Sequence, residues 1–265
     1  MLSLLLTYAA VGAAAGFLAG LLGIGGGMVI VPIMVYCLTW QGVSHDVVMH
    51  LSLGTSMACI IFTGGSGTLA HHRHGTVDWR VFRRIAGGLF VGALLGSHVA
   101  SRLPTNVLKA LFGVFLYCIA VNMILNRKPN PTRHLPGRTG VFAAGSTIGT
   151  VSGMLGIGGG ALSVPFLVWC NVPLHYAIGT ATAMTLPIAV AGAIGYIFHG
   201  LHVSHVPALS LGYVYLPALA GIAGVGMLTA VPGARVSDKL PVRKLKIVFA
   251  ILLIVVATDM LLSHA

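Results

Sequence analysis

Long apolar segments separated by short polar gaps follow one another along the whole chain. Eight of them approach the roughly 20 apolar residues that a helix needs to cross a hydrocarbon core of about 30 Å. Two shorter runs, at 28–39 and 161–171, each follow a cluster of glycines, which leaves open whether they cross the membrane or re-enter it. The pattern predicts an all-α, polytopic helical membrane protein with Gly-rich broken helices. The long runs lie at about 2–22, 47–70, 81–100, 106–125, 139–157, 174–198, 208–231 and 245–263.

The composition agrees with a chain that lies in lipid. Apolar residues make up 57% of the 265 residues and charged residues 7%, far less charge than the surface of a soluble fold needs. The net charge of +11 comes from Lys and Arg in the gaps between apolar runs, a pattern typical of loops retained in the cytoplasm. We therefore expect no nucleic-acid binding. The apolar start of the chain lacks a basic flank and a cleavage site, so we expect a membrane helix there and not a signal peptide.

Two copies of one sequence block indicate an internal duplication. The block Leu-Gly-Ile-Gly-Gly-Gly, followed by a proline, begins at Leu22 and again at Leu155, 133 residues later. We expect a first transmembrane repeat at 1–126, a basic cytoplasmic linker at 127–138 and a second transmembrane repeat at 139–265. Colinear matches between the halves are Gly54-Thr55 with Gly179-Thr180, His74-Gly75 with His199-Gly200, and Leu103-Pro104 with Leu240-Pro241.

The placement of Lys and Arg indicates that the two repeats have inverted topology. The gap at 73–84 is rich in Arg, whereas its counterpart at 199–207 has neither Lys nor Arg. The gap at 235–246 is strongly basic, whereas its counterpart at 101–109 has only two basic residues. Equivalent loops with opposite charge bias lie on opposite membrane faces, as they do in inverted repeats. We expect both termini outside and the basic loops inside.

The glycine clusters are candidate substrate sites. Four glycines in five residues break a helix, because each glycine costs about 1 kcal/mol relative to Ala, and irregular backbone inside a membrane must be covered by protein or line a cavity. The helix that follows each break offers free N–H groups and the positive end of its dipole to an anion. Nearby hydroxyls are expected to complete the hydrogen-bond shell. The candidate substrate-binding residues are Gly23, Ile24, Gly25, Gly26, Gly27, Met28, Thr55, Ser56, Gly156, Ile157, Gly158, Gly159, Gly160, Ala161, Thr180 and Thr182.

Each of these features has a structural alternative. In this alternative the glycines serve only close helix packing, although packing motifs space their glycines by four. The hydroxyls would bond back to carbonyl groups of their own helices.

The duplicated block, together with the Gly-Thr pairs and the Leu-Pro before the last helix of each half, resembles the sulfite exporter TauE/SafE family of membrane permeases. The likeness covers nearly the whole chain. It implies transport of sulfur-containing or organic anions, such as sulfite, sulfonates and related carboxylates. It also implies a site at Gly23 to Gly27, Gly156 to Gly160, Thr55 and Thr180. The second copy reads Gly-Thr-Ala-Thr where the first reads Gly-Thr-Ser-Met, so the site need not be symmetric.

Twelve histidines suggest an alternative function, the transport of divalent metal ions. The inverted topology would place the two histidine clusters on opposite membrane faces, so we expect no metal site and no cofactor. His50 and His98 lie nearer the spans and are candidates for proton coupling, unless they bond to backbone or water at the membrane interface. The two clusters are His71, His72 and His74, and His199, His202 and His205.

Motifs typical of enzymes do not occur in the sequence, which has no HExxH, no paired carboxylates, no Gly-x-Ser-x-Gly and no nucleotide-binding P-loop. We therefore expect a secondary transporter in the cell (inner) membrane and not an enzyme. Its expected partners are the lipid bilayer, a small anionic substrate, and a proton or sodium ion for coupling. The sequence leaves open the exact substrate, the direction of transport and whether the protein forms a homodimer.

Overall fold

The computed structural model describes residues 2–22, 26–125, 135–237 and 242–262. Within these ranges the chain forms ten α-helices and one small antiparallel hairpin. The helices of the first half are α1 (Leu2–Leu22), α2 (Gly27–Trp40), α3 (His45–Arg73), α4 (Trp79–Arg102) and α5 (Thr105–Leu125). Those of the second half are α6 (Arg138–Met154), α7 (Gly160–Trp169), α8 (Leu174–Gly200), α9 (Leu216–Ser237) and α10 (Val242–Leu262), with β1 (Ser210–Leu211) and β2 (Val214–Tyr215) before α9.

Length and hydropathy mark several of these helices as membrane spans. In the part of the chain that the structure describes, α3, α4, α5 and α8 are each long and apolar enough to cross a bilayer. The short helices α2 and α7 are equally apolar, and each has a proline at its sixth residue, Pro32 and Pro165. The predicted fold class, an all-α polytopic membrane protein, is confirmed.

One predicted span begins later than its apolar run. Residues 208–215 of the run at 208–231 form a loop and the β hairpin, and α9 starts at Leu216. Leu209 and Gly212 have φ angles of 66° and 56°, in the left-handed region that interrupts a helix. Gly212 also passes so close to the carbonyl oxygen of Ile197 in α8 that a Cβ would clash. The hairpin is therefore held against α8 and does not extend α9.

Helices of each half pack against helices of the other half. α3 and α8 lie against each other, α1 packs along α9, and α6 packs along α4. α2 contacts α3 in the first half, as α7 contacts α8 in the second, and α5 packs against α10. In the predicted duplication α1 corresponds to α6 and α4 to α9, so each contact has a counterpart. The two related halves and their inverted orientation stay predictions.

Glycines spaced by four bring α4 and α6 into backbone contact. A Cβ at Gly88, Gly92 or Gly96 would clash with a carbonyl oxygen of α6. Small residues at this spacing let helices approach closely in lipid, where van der Waals packing and not the hydrophobic effect drives association. These glycines serve packing and differ in spacing from the two consecutive clusters.

Candidate functional site

The second glycine cluster interrupts the helical structure, as predicted. α6 ends at Met154 and α7 begins at Gly160, and the residues between them are not helical. Gly156 and Gly159 have φ angles of 66° and 71°, which a residue with a Cβ adopts only with strain. The N–H of Ser163 donates to the carbonyl oxygen of Gly159 at 2.8 Å. The first turn of α7 therefore starts directly at the cluster.

The first cluster also has a glycine with positive φ in its described part. Gly26 has a φ of 57°, and its carbonyl oxygen accepts the N–H of Ile30 at 3.0 Å. Both short helices thus begin beside a left-handed glycine, one residue before the predicted starts at Met28 and Ala161. Outside the described residues lie Gly23, Ile24 and Gly25.

The two breaks lie against each other in the interior. A Cβ at Gly27 would stand 2.7 Å from the carbonyl oxygen of Gly156 and 3.0 Å from the Cα of Ile157. Ser56 of α3 donates its hydroxyl to the same Gly156 oxygen at 2.8 Å, which gives a carbonyl of the broken segment a partner. Met28 and Ile157 are buried. The N-terminus of α2 therefore faces the irregular backbone that precedes α7.

The start of α7 is enclosed by aliphatic side chains, among them Ile188 beside Gly159, and by hydroxyl-bearing residues. Gly158 faces the methyl group of Thr185, and Gly159 lies beside the hydroxyl of Ser152 on α6. Ser152 and Ser163 are fully buried, and their hydroxyls have no hydrogen-bond partner among the described residues. Neither serine was predicted from the sequence, because neither belongs to the residues that the two halves share. The signal that could have identified them is a difference between the halves, since the positions 133 residues earlier are apolar.

The threonines of the Gly-Thr pairs contact loops. The hydroxyl oxygen of Thr55 in α3 accepts the backbone N–H of Tyr215 at 3.0 Å. The hydroxyl oxygen of Thr180 in α8 accepts the backbone N–H of Asp78 at 2.9 Å. Tyr215 immediately precedes α9 and Asp78 immediately precedes α4, so the two threonines hold equivalent loops in the same way.

The glycines of these pairs make room for the same loops. A Cβ at Gly54 would clash with the carbonyl oxygen of Tyr213, and a Cβ at Gly179 would clash with that of Thr76. Each glycine thus admits a loop carbonyl two residues before the N–H that the neighbouring threonine accepts. The pairs have a structural role, and their predicted part in ligand binding stays a prediction.

Thr182 directs its hydroxyl back to its own helix. Its Oγ1 donates to the carbonyl oxygen of Ile178 in α8 at 2.9 Å, the local bond that hydroxyl side chains often form in membrane helices. Its role as a ligand also stays a prediction.

His50 is buried near the ends of α3 and α4. Its Nδ1 lies 3.2 Å from the backbone oxygen of Asp46, and its Nε2 lies 3.2 Å from the backbone oxygen of Ala100. The ring stacks on Tyr213 of the hairpin with centroids 5.0 Å apart. Burial raises the pKa of the Tyr213 phenol above its ordinary value, so this stacking partner is neutral at physiological pH. Both ring nitrogens thus face backbone oxygens, and a neutral imidazole donates to one of them at a time.

His98 forms a pair that the sequence did not suggest. Its Nδ1 lies 2.8 Å from Nε2 of His199, whose Nδ1 lies 2.7 Å from the carbonyl oxygen of Gly195. Because a carbonyl only accepts, Nδ1 of His199 donates to it. In the neutral pair, Nε2 of His199 then accepts a hydrogen bond from the Nδ1–H of His98. This hydrogen bond joins α4 to α8, and proton coupling through His50 or His98 stays a prediction.

The histidine clusters are engaged in separate local contacts. Nδ1 of His71 lies 2.9 Å from the hydroxyl of Thr76, and Nδ1 of His72 accepts the indole N–H of Trp79 at 3.3 Å. Within the described ranges, no three His, Cys, Asp or Glu side chains come together as a metal-binding group. The metal-transport alternative therefore gains no support from these contacts.

Cationic side chains occur elsewhere in the described chain. Lys109 is 6% exposed near the start of α5. Arg80 lines an open pocket of about 840 Å³ together with Asp78 and Asn171. Both places offer a positive charge that the glycine breaks lack, so they are the natural competitors for an anion.

Comparisons with known proteins agree on a transport function. Residues 8–260 match the family described as sulfite exporter TauE/SafE. The chain is 37% identical over 265 residues to a probable membrane transporter protein of Haemophilus influenzae, with 99% of this chain and 100% of that protein covered. It is 27% identical to the probable membrane transporter protein YunE of Bacillus subtilis, with 94% of each chain covered.

A more distant relative comes from an archaeon. The chain is 25% identical to a probable membrane transporter protein of Methanocaldococcus jannaschii, with 95% of this chain and 93% of that protein covered. No solved structure gives a significant match. Because the family match spans nearly all of the broken-helix architecture described above, the chain belongs to the sulfite exporter TauE/SafE family and is a multi-pass membrane transporter.

Proposed function

We propose that the protein is a secondary transporter of small anions in the cell (inner) membrane and that the anion binds where the two helix breaks meet. The substrate class is sulfite, organosulfonates or related carboxylates. Membership of the TauE/SafE family supports the sulfur oxyanions. Transport changes no covalent bond of the substrate, so we expect the protein to use no cofactor.

One observation supports the site above all others. A Cβ at Gly27, the first residue of α2, would stand 2.7 Å from the backbone of the break that precedes α7, so the start of α2 lies against that break in the interior. Each helix N-terminus is equivalent to roughly half a positive charge, and its first N–H groups have no acceptor within the helix. Two such ends attract an anion without a cationic side chain. The surrounding low dielectric strengthens this attraction.

The exchange of helices between the halves suggests how access alternates. α1 packs on α9 and α6 packs on α4, so each half holds a helix of the other. A site at the junction of two such halves is exposed to one side or the other when one half rocks against its counterpart. His50 and His98 remain the candidates for a proton that moves with the substrate.

Flux into proteoliposomes tests the proposed function. The purified protein is reconstituted and supplied in turn with radiolabelled sulfite, a sulfonate, a carboxylate, and zinc or nickel ions. We expect flux of at least one oxyanion and none of the metals. Metal flux without anion flux would instead support the alternative.

The same vesicles test the site. Gly26→Leu and Gly159→Leu introduce a branched side chain at the left-handed glycines beside α2 and α7, and each is expected to abolish flux while the protein still inserts into the membrane. Gly224→Leu is the matched control, because no described atom lies within 4 Å of a Cβ there. Full flux in both break variants would refute the assignment of the anion site to the helix breaks.

A further inference from the structure

Two buried hydroxyls beside the N-terminus of α7 lack hydrogen-bond partners. Ser152 of α6 and Ser163 of α7 are both 0% exposed. Within the described part of the chain, neither Oγ atom has a partner. Buried polar side chains in native proteins are nearly always hydrogen-bonded. Each of these two hydroxyls is therefore free to donate a hydrogen bond to a ligand at this helix end.

Both serines lie at the start of the helix. The Oγ of Ser152 lies 3.3 Å from the position that a Cβ of Gly159 would occupy, and Gly159 is the N-cap residue of α7, without a side-chain cap in the described structure. Ser163 is the fourth residue of α7, and helical side chains lean back toward the N-terminus. The N–H groups of Gly160 and Ala161 precede the first intrahelical donor. Hydroxyl and backbone donors thus occur together at this helix end.

We propose that the negatively charged group of the substrate binds at the N-terminus of α7, with Ser152 and Ser163 donating hydrogen bonds to its oxygens. This assignment rests on the proposed function and restricts it to one of the two breaks. The donor set suits an oxyanion with at least two terminal oxygens, because two hydroxyls and the first N–H groups of the helix need several acceptor sites. Sulfite, sulfonates and carboxylates share that chemistry.

The corresponding place in the first half has no such donors. The positions 133 residues before the two serines are Ala19 and Ile30, and Ile30 is 2% exposed within the core. The N-terminus of α2 therefore contributes its dipole and backbone but no hydroxyl from either of these two positions. The two breaks are related by sequence but are unequal as binding sites.

The test uses Ser152→Ala and Ser163→Ala in the full-length protein, with sulfite as the probe. Each change removes a hydroxyl that has no partner among the described residues, so the unfolding midpoint without anion is expected to stay the same or rise. The half-saturation concentration for sulfite flux is expected to rise about tenfold, the effect of losing one hydrogen bond to a charged group. Sulfite should also stabilise the wild type against unfolding more than either variant. Ser163→Thr retains a hydroxyl and is expected to restore part of the affinity.

Ser146→Ala is the matched control. Ser146 also lies on α6, and its hydroxyl likewise has no partner among the described residues. It stands about 9 Å along the helix from Ser152, at 1.5 Å per residue, with its backbone against Gly92 of α4. Half-saturation concentrations in Ser152→Ala and Ser163→Ala that equal the control would overturn the assignment. A lowered unfolding midpoint with unchanged affinity would also overturn it, because it would assign the serines a structural role. Absence of anion flux in the wild type would remove the proposed function, and the assignment with it.

Discussion

Replacing Gly27 with alanine examines whether the two helix breaks touch. The added Cβ would stand 2.7 Å from the carbonyl oxygen of Gly156, 3.0 Å from the Cα of Ile157 and 3.0 Å from the Cδ1 of Ile60. The first two are backbone atoms. The hydroxyl of Ser56 holds the Gly156 oxygen at 2.8 Å, so the segment moves only if it breaks a buried hydrogen bond.

The sign of the effect follows from two opposing terms. Forcing an extra carbon into a packed site costs about 1–3 kcal/mol, whereas Ala in place of Gly favours a helix by at most about 1 kcal/mol. We expect Gly27→Ala to lower the free energy of unfolding by about 1–2 kcal/mol, which changes the ratio of folded to unfolded protein roughly 5- to 30-fold. Gly224→Ala has open space around its Cβ among the described atoms and should be neutral or stabilising.

The assay is equilibrium unfolding in mixed micelles of a mild detergent and dodecyl sulfate, with flux measured on the same preparations. Gly27→Ala should unfold at a lower dodecyl sulfate fraction than the wild type and transport more slowly. Gly224→Ala should match or exceed the wild type in both measurements. If both variants were equally stabilised, the first turn of α2 would have free space around it and the contact between the breaks would be refuted.

Further predictions concern the loops. Thr55→Val and Thr180→Val each leave a loop N–H without its acceptor and should lower the free energy of unfolding by about 1–3 kcal/mol. The corresponding Ser variants retain the oxygen and should lose less stability. Equal losses for Val and Ser would argue against the hydrogen bonds. Reporter fusions within 127–138 and 235–246 should both report a cytoplasmic location, because both segments are basic; a periplasmic signal from one of them would contradict the inverted topology.

The helices could be predicted closely because lipid sets both their length and their composition. The apolar runs at 47–70 and 106–125 fall within α3 and α5. The breaks could be predicted because consecutive glycines disfavour a helix wherever the chain lies. The helix predicted at 208–231 begins too early, because Leu209 and Gly212 adopt left-handed backbone conformations. An apolar composition does not reveal these conformations.

The partners of polar side chains could not be read from the sequence. Thr55 and Tyr215 are 160 residues apart, and His98 and His199 are 101 residues apart, so only the packing of α3 and α8 with their neighbours brings them together. The residues that the two halves share include the Gly-Thr pairs, which hold loops. Ser152 is not among the shared residues, because Ala19 occupies the corresponding position in the first half.

The most direct measurement is an anomalous difference map of the crystallised protein with selenite, a pyramidal oxyanion that contains an anomalous scatterer. We expect a selenium peak at the start of α7, within hydrogen-bond reach of Ser152 and Ser163. A peak beside Lys109 or in the pocket at Arg80, with the start of α7 empty, would contradict it, because a cationic side chain and not the broken backbone would then hold the anion.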